Sequence, residues 1–251
     1  DYRSDVVYCY YVDGFMINKN TLNRSQVPLV IPSPYWWGGD QYPECHDITI
    51  VGCNAMVPTQ INNNEFNPIK SSNDYVGIFA STIGSDTTNP VQINNNKVNS
   101  FTINRQYGNG FYIRGGKNIE VKNNIIEGFK INGLYQYGRY YYGFSRGIYV
   151  ASRKGLVSGN KISNLETGGS VAGIDFAYST NCDLKNNEIK DISGYDGSVY
   201  QYGTPWTYGI KTYDIDRLNV SNNLISDING LNVQGMNLHQ NPDSVFVHHN
   251  T

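Results

Sequence analysis

Charge is scarce in this chain. Asp, Glu, Lys and Arg make up 16% of its 251 residues, and their near balance leaves a net charge of −2. A protein that holds nucleic acid by its phosphates needs a basic stripe, and so neutral a chain argues against nucleic acid as a partner. Long hydrophobic runs are missing too. No apolar stretch approaches the roughly 20 residues that cross a bilayer, so membrane insertion is not expected, and no secretory leader pattern opens the chain. Apolar residues nowhere recur at a sustained spacing of about 3.6, which argues against a stack of helices.

Cysteine is also sparse, with four residues: Cys9, Cys45, Cys53 and Cys182. Cys182 falls where another copy of a repeated phrase carries Ile119, so it reads as a buried apolar thiol. The other three are an odd number, and one disulfide among them suits an oxidising compartment. Cys45-His46 with Cys53 lacks the paired spacing of a zinc module, so no metal is expected there.

What the chain has in quantity is Gly (26), Tyr (21) and Asn, with 39% hydrophobic residues, enough for one domain with a continuous core. It also has a phrase that returns. Asn118-Ile119-Glu120-Val121-Lys122-Asn123-Asn124-Ile125-Ile126 alternates apolar and polar residues, turns at two asparagines and resumes with an apolar pair. Val91 to Val98, Cys182 to Ile189 and Leu218 to Ile225 repeat it, Phe15 to Asn20 and Ile61 to Phe66 are earlier copies, and Val245 to Asn250 is the last. A second marker, Gly followed by an apolar strand, stands at Gly77, Gly110, Gly147, Gly173, Gly209 and Gly235. One unit therefore reads as Gly-strand, turn, second strand, Asn corner, third strand and a loop back. Corners at Asn96, Asn124, Asn160, Asn187, Asn223 and Asn250 step by 28, 36, 27, 36 and 27 residues.

Three short strands per turn with an asparagine ladder at the tight corner resemble the right-handed parallel β-helix, the all-β solenoid of pectate lyases, polygalacturonases and phage tailspikes. The likeness covers the whole chain, residues 1–251. It implies parallel strands paired at roughly 4.7–4.9 Å, with Ile119, Cys182 and Leu218 in one internal row and Val121, Leu184 and Val220 in another. Seven or eight coils would make a rod roughly 35–40 Å long. The chain between Asn20 and Asn64 leaves open one expanded coil or two, with residues 32–46, including Trp36 and Trp37, projecting as a loop. Neither end shows the polar cap of a solenoid, so the expectation is a fragment that continues into more protein or stacks on a partner.

Long insertions fall at the corner after the third strand. Residues 130–146 contain Tyr137 and Tyr141, and residues 193–208 contain Tyr202 and Trp206. Their rings suit sugar rings or protein surfaces, or packing on one another. The residue after each Gly-apolar marker gives Phe79, Tyr112, Tyr149, Asp175, Lys211 and Asn237 in successive coils. In the pectin-degrading relatives the substrate groove runs along this first sheet, so the resemblance points to Tyr112, Tyr149, Asp175 and Lys211 as its floor. Asp175 is the sharpest catalytic candidate, with Lys211 one coil away, and a plain ion pair is the competing reading. Glycoside hydrolysis needs two carboxylates, and Asp214, Glu166 and Asp196 are the possible second members, the last two expected in loops. A lyase would need a base, for which Lys211, Arg114 or Arg153 could serve, and calcium held by several carboxylates, for which no acidic cluster is evident. The paired-aspartate and Gly-His-Gly signatures of polygalacturonases are absent. His239, His248 and His249 read as solvated side chains, and Asn23-Arg24-Ser25 and Asn219-Val220-Ser221 match a glycosylation sequon.

Two functions follow as expectations. One is an extracellular structural or adhesive module of a cell-surface or virion protein, contacting a glycan or neighbouring subunits through its Tyr-rich edge, with no cofactor. The other is a polysaccharide lyase or glycoside hydrolase working in the groove.

Overall fold

The computed structural model describes residues 4–11, 14–22, 44–52, 54–55, 59–71, 74–81, 84–85, 90–136, 139–141, 143–194, 205–239 and 243–251. Every long strand in them pairs in parallel with its counterpart one repeat away. Ser4–Tyr10, Glu44–Val51, Asp74–Ser81, Gly108–Gly116, Phe144–Ser152, Ser170–Ser179, Trp206–Ile215 and Asn232–His239 form the first sheet, in that order. The second sheet runs from Met16–Asn18 and Thr59–Asn62 through Ile119–Lys122 to Ser244–His248. The third runs from Thr21–Leu22 to Leu224–Asn229. Eight strands in the first sheet mean eight coils. Seven gaps of about 4.8 Å give a stack of roughly 34 Å.

The early part of the chain is settled by register. Val7 pairs directly with Ile48, Ile17 with Ile61 and Leu22 with Phe66. No coil lies between these strands, so Asn20 to Asn64 is one expanded winding. Residues 32–43 of the expected projecting loop lie outside the described residues.

The core is built of side chains stacked coil on coil. Val91, Ile119, Gly155, Cys182 and Leu218 follow one another in one row, and Ile93, Val121, Val157, Leu184 and Val220 in the next. Cys182 is fully buried as a free thiol, and that burial, with Asp183 beside it, raises its pKa well above the usual value. Gly155 breaks its row for a reason: a Cβ there would stand 2.3 Å from the ring of Phe176, which fills the space.

At the Asn corner two neighbouring residues divide the work. Asn63, Asn95, Asn123, Asn186 and Asn222 take the left-handed backbone, with φ of 54–58°, as do Lys19, Gly159 and His249 in their coils. The following asparagine keeps an ordinary backbone and carries the ladder. Asn96 donates from both its N–H and its Nδ2 to Asn124 Oδ1, at 2.8 and 3.0 Å, and Asn124 does the same to Asn160, at 3.0 and 2.9 Å. The second Nδ2 proton of Asn124 goes to the carbonyl of Ile93 at 2.8 Å. All four hydrogen-bonding positions of the buried amide are filled. The pattern runs unbroken from Asn20 to Asn250.

The repeated glycines have a steric cause. A Cβ on Gly110 or Gly147 would lie 2.6 Å from the carbonyl oxygen of the next glycine in the column. No side chain fits, and the strand bulges there: Arg146 and Ile148 pair with Ala172 and Ile174, while the glycines between them drop out of the ladder. The residue before each glycine and the second residue after it consequently both face outward.

Candidate functional site

Three outward rows make the floor of the first sheet. One holds Asn109, Arg146, Ala172 and Tyr208; the next holds Phe79, Tyr112, Tyr149, Asp175, Lys211 and Asn237; the last holds Arg114, Ala151, Ala177, Tyr213 and His239. The middle row is the one the marker spacing anticipates, residue for residue.

Asp175 is clamped from both sides. Its side chain is 3% exposed; Arg146 Nε, from the preceding coil, donates to Oδ2 at 2.7 Å, and Lys211 Nζ, from the following coil, stands 3.8 Å from Oδ1. Sequence spacing finds Lys211 and misses Arg146, the closer partner. The bulge at Gly147 is what swings Arg146 to the outer face, and its place just before a repeat glycine is the signal that marks it. Arg146 is held further by the Phe144 carbonyl at 2.9 Å and by the faces of Phe144 and Tyr149, 4.2 and 5.0 Å away. Lys211 lies 4.9 Å from the Phe144 ring and 6.0 Å from that of Tyr208.

The aromatic row stacks on itself. Phe79 and Tyr112 are 5.7 Å apart and within 2° of parallel, and Tyr112 and Tyr149 are 4.6 Å apart at 24°. Their faces are turned to one another along the rod, so the middle of the row offers ring edges to a ligand. Burial, then the Tyr112 hydroxyl and the Asp175 charge, push Tyr149 up to about 12, with Arg146 opposing. Burial and Asp175 raise Tyr208 as well.

Trp206 and Tyr208 open a strand of the first sheet instead of lying in a loop; Trp206 is 37% exposed and stacks on Tyr208 at 6.0 Å. In the other insertion, Leu134–Gln136 and Arg139–Tyr141 form an antiparallel hairpin, so Tyr141 is in a strand, though its side chain is not among those described. Tyr137 and Tyr202 lie outside the described residues.

The second carboxylates divide differently from expectation. Glu166 belongs to the third-sheet strand Lys161–Thr167, not to a loop, and bonds Lys130 at 3.0 Å. Asp214 sits in the left-handed backbone at the end of the first-sheet strand, and Asp196 lies outside the described residues. From the second coil onward, Asp175 is the single carboxylate in the three outward rows among the described residues. No group of three His, Cys, Asp or Glu side chains able to hold a metal ion stands among them either. His46, beside Cys45, is fully buried, with Nδ1 2.7 Å from Thr49 Oγ1 and its ring stacked on Phe79 at 4.7 Å. His239 stacks on Tyr213, and His248 and His249 are exposed at the last corner. Arg114 lies in the last of the three rows, between Ser81 and Ala151, and Arg153 sits in the turn that follows the first sheet.

The model of the right-handed β-helix region matches residues 46–251. The chain belongs to that family. Comparison with individual curated proteins and with solved structures finds no match.

Proposed function

We propose that this chain is a non-catalytic β-helix module of an extracellular cell-surface, adhesin-like or virion protein, whose Tyr-rich flank contacts a glycan or a neighbouring subunit. The observation that carries the reading is the state of Asp175. Two cations hold it, and from the second coil onward no second outward carboxylate accompanies it among the described residues of the floor. Acid–base cleavage of a glycoside needs two carboxyl groups at a set separation, one of them free to give up a proton. Trp206, on the flank and 37% exposed, offers a sugar more surface than the half-buried Tyr112 and Tyr149 of the stacked row. The test is a glycan-array screen of the intact parent molecule alongside the Trp206→Ala variant. Binding that weakens in the variant supports a glycan-facing flank; a flat array with regular self-assembly moves the contact to a subunit.

One observation favours the alternative of a lyase or hydrolase: Arg146, Asp175, Lys211 and Tyr149 cluster on the sheet that holds the groove in pectin-degrading relatives. Incubation with a panel of polysaccharides separates the two. Release of reducing or unsaturated ends that disappears in Asp175→Asn would overturn the non-catalytic reading.

A further inference from the structure

The margin where the first sheet turns into the second holds an exposed ring. Tyr178 is 60% exposed although a coil lies on either side of it. It also takes the left-handed backbone, with φ of 55°. That region disfavours a side chain as bulky as tyrosine, and elsewhere along the described chain mostly Asn and Asp occupy it. Glycine or asparagine would turn this corner with less strain. Burial does not explain the tyrosine, because the residue faces solvent. Strain kept at an exposed aromatic residue points to a use for its ring.

Neighbouring rings fix its attitude. Tyr178 meets Tyr213 of the next coil at 5.6 Å and 77°, and Tyr213 stacks on His239 at 5.7 Å and 24°. Two rings set nearly at right angles form a corner, already ordered before a ligand arrives. A carboxylate stands beside it. Ala177 pairs with Tyr213 and Ser179 with Ile215, so Tyr178 and Asp214 occupy equivalent positions of adjacent coils. Asp214 is exposed, and among the described residues no cation pairs with it.

We propose that Tyr178, Tyr213 and Asp214 bind a neutral glycan, with a sugar ring lying against the tyrosines and its hydroxyls donating to the carboxylate. A pyranose has an apolar C–H face and a polar rim, and an aromatic face beside a carboxylate matches both. A protein partner fits less well. Two rings offer at most a few hundred Å², short of the roughly 800 Å² that a stable interface takes from each side. No large aliphatic side chain is exposed among the described residues of this margin. The site does not depend on the Tyr-rich flank: Trp206 and Tyr213 lie in one strand, roughly 20 Å apart.

The experiment is titration calorimetry of the full chain with maltohexaose, cellohexaose, xylohexaose and mannohexaose, and the parent is expected to bind at least one of them. Tyr178→Gly should bind that sugar at least roughly five-fold more weakly. Its urea midpoint should stay close to the parent's, because glycine takes the left-handed backbone freely. Tyr178→Phe keeps the ring and should retain binding within about two-fold. Trp206→Ala should also stay within about two-fold, so a failure here and a failure at the flank are read separately. Four results would each overturn the proposal: no binding across the panel at millimolar sugar, undiminished binding by Tyr178→Gly, a loss confined to Trp206→Ala, or a Tyr178→Gly midpoint that falls together with its binding.

Discussion

Arg146 Nε lies 2.7 Å from Asp175 Oδ2, one coil away and three positions off the register that spacing alone would assign. The contact exists because the chain bulges at Gly147. It fixes the only carboxylate on the described floor of the first sheet from the second coil onward, so it sets both the stability of that face and the chemistry open to it.

Removing the carboxylate should therefore cost more than removing either cation. Asp175→Ala leaves Arg146 and Lys211 facing each other, partly buried, and is expected to destabilise by about 2–3 kcal/mol, discounted for their partial exposure. Lys211→Ala, at 3.8 Å and with 27% of the side chain exposed, should cost less than about 1 kcal/mol. Urea unfolding of the two variants checks the order, and equal losses would refute the clamp.

The asparagine ladder predicts a gradient along the rod. Asn124→Ala takes one hydrogen bond each from the buried N–H and Nδ2 of Asn96, the Ile93 carbonyl and the Asn160 amide oxygen, for about 3–5 kcal/mol. Asn250→Ala, at the exposed end, should cost about 1–2 kcal/mol. Denaturant midpoints of both, measured side by side, decide it.

Among the repeat glycines, Gly147→Ala and Gly235→Ala should part sharply. The first places a Cβ 2.6 Å from the Gly173 carbonyl and 2.7 Å from Ile162, a backbone clash expected to cost about 3 kcal/mol or more. The second meets nothing within 4 Å and should stay within about 0.5 kcal/mol of the parent. Thermal melts of the two read the difference directly.

Alkaline pH gives a fourth expectation. Tyr149 holds its proton up to about 12 in the folded chain, against 10.0 for an unburied tyrosine. The folded state then binds the proton more tightly, so the stability from Tyr149 is complete below pH 10 and is lost as pH rises to about 12. Tyr149→Phe should flatten that part of the stability-against-pH curve, and tyrosinate absorbance of the parent should lack one early-titrating group.

The chain's order of parts is legible because each coil repeats the same physical demands. Ile119, Cys182 and Leu218 share a row because a strand of period two must point them inward at each return. Asn124 and its equivalents mark the corner because only an amide offers two donors and two acceptors along the rod axis. Arg146 was not legible, since a bulge shifts the outward register by one residue and period-two counting cannot see it. Glu166 falls in a strand and not in a loop because third-sheet strands such as Lys161–Thr167 run past the expected third strand. The aromatic row is legible as positions, but the stacking of its rings on one another is not.

What the sequence by itself determined is the winding: repeat spacing, core rows and corner amides follow from local pattern, because every coil must satisfy the same backbone and burial requirements. Tertiary structure decided which charges meet and which faces stay open. Those depend on how one coil's bulge aligns with its neighbour's side chains, a relation between segments 26 to 36 residues apart that no single stretch encodes.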